Sequence, residues 1–334
     1  MGRNIKISII IPLYNAELYL NDLFYSLSNQ TCDNFEVIFV NDGSTDETYN
    51  LVNEFCDDGK GRYKLFNIKN SGVSIARHFG FKKSIGDFVF FIDSDDYISI
   101  DTVELLLSNI KSNTTDIVVV DYVKFDKNRK TYVKSLMCES QFFTQELFLN
   151  RKISYSIWGK LYKKEILCDS IFYNTYEFSI GEDLLFNLSL SNKCLKISYI
   201  DNCLYYYRLR KSSTSSSKFI TLDYFMRFRN KYENIFSLEN ISDDIKNTII
   251  DDSRYGIVGV IGLPLFYNYN EFNKISDFLC KNKPTSKYTS KLSCINKLFI
   301  FFLSSKYIPR RFVFYFFRFI YMISNRLVSR NFYK

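Results

Sequence analysis

The chain has 334 residues, 46% hydrophobic and 24% charged, a balance that excludes a disordered protein and suits one large domain with an appendage or two modest domains. Net charge is +8, yet residues 291–334 hold nine Lys or Arg and no Asp or Glu, so a near-neutral body with a basic tail replaces the even charge of a nucleic-acid protein. His78 is the one histidine and the eight cysteines form no CxxC, which disfavours zinc frameworks and Ser-His-Asp catalysis and reads as free thiols in a reducing compartment.

Residues 5–11 (IKISIII) form a β-branched run too short for a helix and bounded by Pro12, the pattern of a buried strand. The basic-then-apolar start resembles a short signal peptide, but the run is brief, Pro12 breaks it and no small-residue cleavage site follows. Helical spacing follows at 17–29, a strand at 36–40, and a helix at 46–56 with Thr45, Asp46 and Glu47 as acceptors at its start. A strand at 63–67, a helix at 72–84 and a strand at 87–92 complete this alternation, which predicts a mostly parallel sheet covered on both faces. The middle reads as a helix at 101–111, a strand at 116–122, a polar-aromatic segment around Trp158, a helix opened by Gly181 and running to about Asn192, and strands at 195–200 and 203–209. A Ser/Thr-rich loop at 212–217, helices within 220–282, a linker at 283–290 and an apolar, basic tail at 292–330 close the chain.

In parallel sheets ligands bind at the carboxyl ends of strands. Three polar motifs fall there: Pro12-Leu13-Tyr14-Asn15, Asn41-Asp42-Gly43 and Asp93-Ser94-Asp95-Asp96. Several carboxylates on one strand end repel one another unless a cation neutralises them, and oxygen-only ligands suit Mg²⁺ or Mn²⁺. Each residue also has a plainer use. Asp caps helices, Asp42 shapes a turn with Gly43, Tyr14 packs on a sheet, and Arg77 is a surface charge. The absence of a Gly-rich loop after the first strand counts against a dinucleotide fold.

The order Ile9-Ile10-Ile11-Pro12-Leu13-Tyr14-Asn15, Val40-Asn41-Asp42-Gly43-Ser44-Thr45-Asp46, Gly72-Val73-Ser74-Ile75-Ala76-Arg77 and Phe91-Ile92-Asp93-Ser94-Asp95-Asp96 resembles the family 2 glycosyltransferases over roughly the first 100 residues. The resemblance implies an inverting enzyme of α/β class, with a GT-A type mostly parallel sheet flanked by helices and a helical C-terminal extension. It implies a donor site of Pro12, Tyr14, Asn15, Asp42, Arg77, Asp93 and Asp95, for a nucleotide sugar that is usually a UDP-sugar. Arg77 would position the nucleotide or its phosphates, Asp93 would lie against the ribose, and Asp95 would hold Mn²⁺ or Mg²⁺ on the diphosphate. Asp96 would face the sugar. His78 departs from the family, which often has Asn after the Ala-Arg pair. Gly181-Glu182-Asp183-Leu184-Leu185-Phe186 extends the likeness: Asp183 would be the general base, and Glu182 and Trp158 would contact the acceptor. Tyr207-Arg208 and loop 212–217 would close over the diphosphate. By itself the Glu-Asp pair reads as a helix cap, and a single tryptophan as packing.

The tail predicts a peripheral membrane contact. Residues 299–323 are interrupted by Lys306, Pro309, Arg310, Arg311 and Arg318, which defeats a clean span. A helix from Pro309 would place Arg311, Arg318 and Asn325 on one stripe, the pattern of an interfacial helix, while a docked terminal helix or an oligomer contact is the alternative. The expected organisation is a nucleotide-sugar half at 1–100, an acceptor half at 101–217 and a helical region at 218–334, on the inner face of the cell membrane through residues 295–330. The expected acceptor is a glycan or lipid-linked glycan of cell-surface polysaccharide synthesis, with no nucleic-acid partner. A nucleotidyltransferase and a non-catalytic membrane scaffold are the competing classes.

Overall fold

The computed structural model describes residues 6–57, 61–112, 115–134, 142–150, 153–191, 193, 195–210, 221–235, 269–281, 298, 301–302 and 308–317. Two compact units divide the chain, residues 1–209 and 210–334.

The first unit is built on one twisted sheet. Strands β1 (Ile7–Leu13), β2 (Phe35–Asp42), β3 (Tyr63–Ile68) and β4 (Phe88–Phe91) pair in parallel in the order β3-β2-β1-β4. Helices α1 (Leu20–Ser28), α2 (Thr48–Asp57) and α3 (Val73–Lys83) connect them. Every residue of β1 and β2 is buried, as a parallel sheet with both faces covered requires. The two faces sort by parity. Ile7, Ile9, Ile11, Val37 and Phe39 join Leu20, Leu23, Leu27 and Val52 in one core, while Ile38 and Val40 pack with Ala76 of α3 in another. Large apolar side chains fully removed from water contribute about 1.5–3 kcal/mol each.

Pro12 does not end the first strand as expected. Beyond the pair Ile10↔Phe91, β1 has β2 as its neighbour but β4 has stopped, so Pro12 sits where the sheet has an edge and a missing N–H is tolerated.

After β5 (Tyr97–Ile98) and α4 (Thr102–Ser112), the sheet continues with β6 (Ile117–Phe125), β7 (Lys130–Val133) and β8 (Lys160–Lys163). Short α5 (Asp169–Tyr173) and α6 (Glu182–Leu190) precede β9 (Ile197–Arg208). Strand β8 lies antiparallel between β4 and β6, and β9 runs parallel to β6. The two strands predicted at 195–200 and 203–209 are one strand. Its register slips twice opposite Val120–Tyr122 because Asp201 and Asn202, and then Leu204, have no partner in the β6 ladder.

In the second unit α7 (Leu222–Ile235) buries Phe225, Phe228 and Tyr232, and α8 (Tyr269–Lys281) buries Phe272, Ile275 and Leu279, both at helical spacing. A helix over 310–317 packs Phe314 on Phe272 and Tyr269, at ring distances of 5.2 and 5.3 Å. The predicted loop 212–217, the linker 283–290 and most of the basic tail, including Arg318 and Asn325, lie outside the described residues.

Candidate active site

The parallel register places the ends of β1, β2 and β4 at one edge of the sheet, where Pro12–Asn15, Asp42 and Asp93–Asp96 follow the strands. Asn15 takes a left-handed backbone (φ 49°) that Asn tolerates. Its side-chain oxygen accepts the Thr45 N–H at 2.8 Å, tying the loop after β1 to the loop after β2. Tyr14 remains half-exposed at 52%. Gly43 (φ 70°) lies so close to Asn70 that an added Cβ would sit 2.9 Å from its backbone nitrogen.

Asp42 is buried and committed. Its two carboxylate oxygens accept the backbone N–H groups of Ser71 (2.7 Å) and Gly72 (2.8 Å), just ahead of α3. Gly72 supplies no side-chain cap, so a carboxylate from β2 satisfies donors at that helix entry.

Arg77, one turn into α3, is 4% exposed. It bridges two segments distant in sequence: one guanidinium nitrogen donates to Asp93 Oδ1 at 2.7 Å and another to Asp183 Oδ1 at 3.0 Å, with Glu182 Oε1 at 4.0 Å. Its Nε is buried without a partner. The expected surface or phosphate-facing arginine is therefore an internal tie between the end of β4 and the start of α6. Burial disfavours its charge, but Asp93, Asp183 and Glu182 more than reverse that, and it stays protonated.

The carboxylates respond in the opposite sense. Burial raises Asp183 above the usual range, Arg77 draws it back, Asp93 pushes it up again, and the Ile157 N–H and Lys160 draw it down. Glu182 is pushed up to about 7 by burial and by the charge of Asp183. Lys160 of β8 is 1% exposed. Its ammonium donates to the Ser156 carbonyl at 2.5 Å, and burial lowers it to about 7 against the pull of Asp183. A small cleft opens here, lined by Ser74, Arg77, Thr175, Glu182 and Asp183 with apolar Ile157, Phe172 and Phe186.

Within the acidic cluster the three aspartates part company. Asp93 joins Arg77. Asp95 is 8% exposed, with its backbone carbonyl accepting Arg208 Nε at 2.8 Å. Asp96 is turned inward and fully buried, where it accepts Tyr205 Oη and the Arg208 N–H, both at 2.7 Å. Burial, then Asp95 and Asp93, push it well above the usual carboxylate range. The expectation that Asp96 faces a sugar is not met in this structure, because both its oxygens hold β9 instead. Trp158 is likewise packed rather than presented, stacked on Tyr205 and Tyr207 at 4.7 and 5.0 Å. Arg208 spans to Asp22 at 2.5 Å and lies 4.7 Å over Phe125.

His78 hydrogen-bonds Tyr176 and Asp169 (3.1 Å) and stacks on Phe172 at 4.6 Å, locking α3 to α5. Sequence reasoning passed over Tyr205 and gave Lys160 no role. The one available signal for Lys160 was its place two residues after Trp158 in a polar-aromatic segment.

No group of three acidic, His or Cys side chains able to cage a metal occurs among the described residues. The donor set present, carboxylate oxygens at the end of β4, fits a hard cation held by one or two carboxylates with substrate phosphates completing its shell.

Residues 8–169 match the model for Glycosyl transferase family 2. Among relatives, Glycosyltransferase GlyA of Streptococcus pneumoniae is 34% identical over 227 residues, 63% of this chain and 31% of the relative. The poly(ribitol-phosphate) beta-N-acetylglucosaminyltransferase TarS of Staphylococcus aureus is 28% identical over 215 residues, 64% of this chain and 37% of the relative. This chain thus matches 31% and 37% of those two proteins' lengths, about a third of each. The structure of TarS residues 1–349 with UDP-GlcNAc superposes with a TM-score of 0.69 at 22% identity, over 96% of this chain and 92% of that one. Mannosyltransferase PcManGT from Pyrobaculum calidifontis, with GDP-Man and Mn2+, gives a TM-score of 0.53 at 11% identity over 95% and 88%. The fold is that of the GT-A glycosyltransferases.

Proposed function

The chain belongs to glycosyl transferase family 2, and from that premise we propose that it is an inverting hexosyltransferase moving a sugar from a UDP-sugar to a glycan or lipid-linked glycan. The observation that carries this is the Arg77 bridge, which brings Asp93 at the sheet edge and Asp183 at the head of α6 to one guanidinium. On this reading the donor and base sides of a displacement share one guanidinium.

Asp183 acts as general base. The acceptor hydroxyl attacks the anomeric carbon, its proton passes to the Asp183 carboxylate, and the carbon–oxygen bond to the diphosphate breaks with its electron pair leaving on UDP. A carboxylate raised by burial is a stronger base than an exposed one, and the tie to Arg77 opposes that rise. Tyr14, Asn15, Pro12 and Asp42 bound the nucleotide side, and Glu182 lies on the acceptor side. Asp95 is the proposed metal ligand; Mn²⁺ or Mg²⁺ there supplies charge neutralisation for the leaving diphosphate. The TarS structure with UDP-GlcNAc supports a UDP-sugar donor, and TarS as a poly(ribitol-phosphate) transferase supports a cell-surface polymer acceptor.

A screen of nucleotide sugars for UDP release with Mn²⁺ or Mg²⁺ tests the reading. Asp95→Asn is expected to abolish metal-dependent release. Asp183→Asn is expected to lower turnover by about a thousandfold or more while UDP binding by calorimetry is retained. Normal turnover by Asp183→Asn removes the base assignment, and loss of UDP binding in that variant reassigns Asp183 to the donor side.

A second part of the proposal concerns the basic tail, taken as a membrane-surface contact on the inner face. No helix among the described residues is long and apolar enough to cross a membrane. Phe312 and Tyr315 are exposed while Val313, Phe314 and Phe317 are buried, which supports a helix with one apolar face on the protein and aromatic groups on the other.

A further inference from the structure

The two nearly buried cations beside Asp183 are held differently. Lys160 meets a backbone carbonyl, whereas Arg77 spends its guanidinium on two carboxylates that belong to different parts of the reaction. We propose that Arg77 is a positioning residue for the transfer step, holding the Asp183 carboxylate toward the end of β4, and is not a ligand of the nucleotide. This rests on the reading of Asp183 as general base.

The geometry supports a clamp in three ways. The guanidinium is 4% exposed and both its terminal nitrogens are engaged by carboxylates at 2.7 and 3.0 Å, with only the buried Nε left over, so the fork that would grip a phosphate is already occupied. Its anchor is rigid, because α3 is seated on β1 and β2 through Ala76 and Gly80 and its entry is fixed by Asp42. Planar two-point recognition is what a guanidinium offers and an ammonium does not. The groups facing Asp183 from the packed elements pull in both directions. Glu182 on α6 and Asp93 after β4 oppose its ionisation, Lys160 on β8 aids it at a distance, the Tyr162 hydroxyl of β8 is pushed up by burial and then by Asp183, and Arg77 on α3 is the principal counter-charge. Removing Arg77 leaves carboxylates crowded in a partly buried cleft with no direct ion pair.

The test compares Arg77→Lys and Arg77→Gln with wild type and Asp183→Asn, using UDP as the binding probe and UDP release from the fastest donor of the screen as the rate. Circular dichroism first verifies that each variant is folded. Both Arg77 variants are expected to bind UDP within about threefold of wild type and to lose about tenfold or more in kcat. The acidic limb of the kcat–pH profile is expected to move upward by about one pH unit in Arg77→Gln and by less in Arg77→Lys, which keeps the charge but cannot hold both carboxylates. A UDP affinity weakened about tenfold or more with the limb in place overturns the proposal and makes Arg77 a nucleotide contact. Should Arg77→Gln fail to fold, Arg77→Lys decides by itself: unchanged kcat and limb overturn the proposal. Full turnover by Asp183→Asn defeats the base assignment instead, whatever the Arg77 variants do.

Discussion

Asp93, Glu182 and Asp183 converge on the one guanidinium of Arg77, so the cluster carries more negative charge than its direct counter-ion neutralises. The excess appears at Glu182, whose carboxyl rises from 4.5 to about 7 because of burial and then Asp183. A raised carboxyl contributes stability that is fully present below its unfolded value of 4.5 and is lost as pH rises through about 7. Glu182→Gln therefore should stabilise the fold at about pH 8, by about 2 kcal/mol, and give little advantage at about pH 5. Urea unfolding at both values checks this, and a gain independent of pH would assign the effect to something other than Glu182 ionisation. Such stored repulsion is typical of sites that trade stability for chemistry. In the sequence, Asp93 and Asp183 were legible as polar groups at element ends. Their partner was not, because Arg77 and Asp183 stand 106 residues apart and nothing in a local pattern pairs them. Asp42 shows the same limit: the position was readable, but not the pair of backbone donors it accepts.

Helix α3 is the element on which both the donor edge and the base side depend. It carries Arg77 and His78, begins where Asp42 receives its N–H groups, and lies flat enough on the sheet that Gly80 has no room for a methyl group. A Cβ there would come 2.5 Å from Ile10 Cγ2 and 3.3 Å from Val40 Cγ2. Alanine is the better helix former by about 1 kcal/mol, but overpacking a core contact costs about 1–3 kcal/mol. Gly80→Ala should thus lose stability by about 1 kcal/mol and lower UDP release as Arg77 shifts with the helix, while a more stable variant would contradict this seating. Elements of this length were readable from the 3.6-residue period, as were the buried runs of β1, β2 and β6. Strand β8 was not. Its four residues, Lys160–Lys163, follow a glycine and carry lysine at both ends, and they become a strand because β4 and β6 offer ladders on both sides. That placement is what brings Trp158 and Lys160 beside the site.

At the scale of the whole chain, the first unit holds the family match over residues 8–169 and the second the surplus of basic and aromatic residues. The alternation of strands and helices predicts the parallel half of the sheet. The segment from Arg210 onward has no such period to follow, and its described helices declare themselves through buried aromatics such as Phe225, Phe228 and Phe272. The helix over 310–317 bears on the proposed membrane contact. Arg310 pairs with Asp277 and Asn273, and Arg311 lies 5.7 Å over the Tyr269 ring, so these cations are partly engaged within the protein. Phe312 and Tyr315, at 53% and 61% exposed, are the groups left facing outward. If they enter a headgroup layer, binding depends on both apolar insertion and the net positive charge of the tail. The full chain should co-sediment with vesicles containing phosphatidylglycerol, bind more weakly to neutral phosphatidylcholine vesicles, and lose affinity as salt rises. Phe312→Ser with Tyr315→Ser should weaken binding by about tenfold or more without changing UDP release in solution, since about 0.8 kcal/mol accompanies each buried methylene equivalent. Equal vesicle binding by that variant would leave the aromatics without a membrane role and return the helix to a packing element of the second unit.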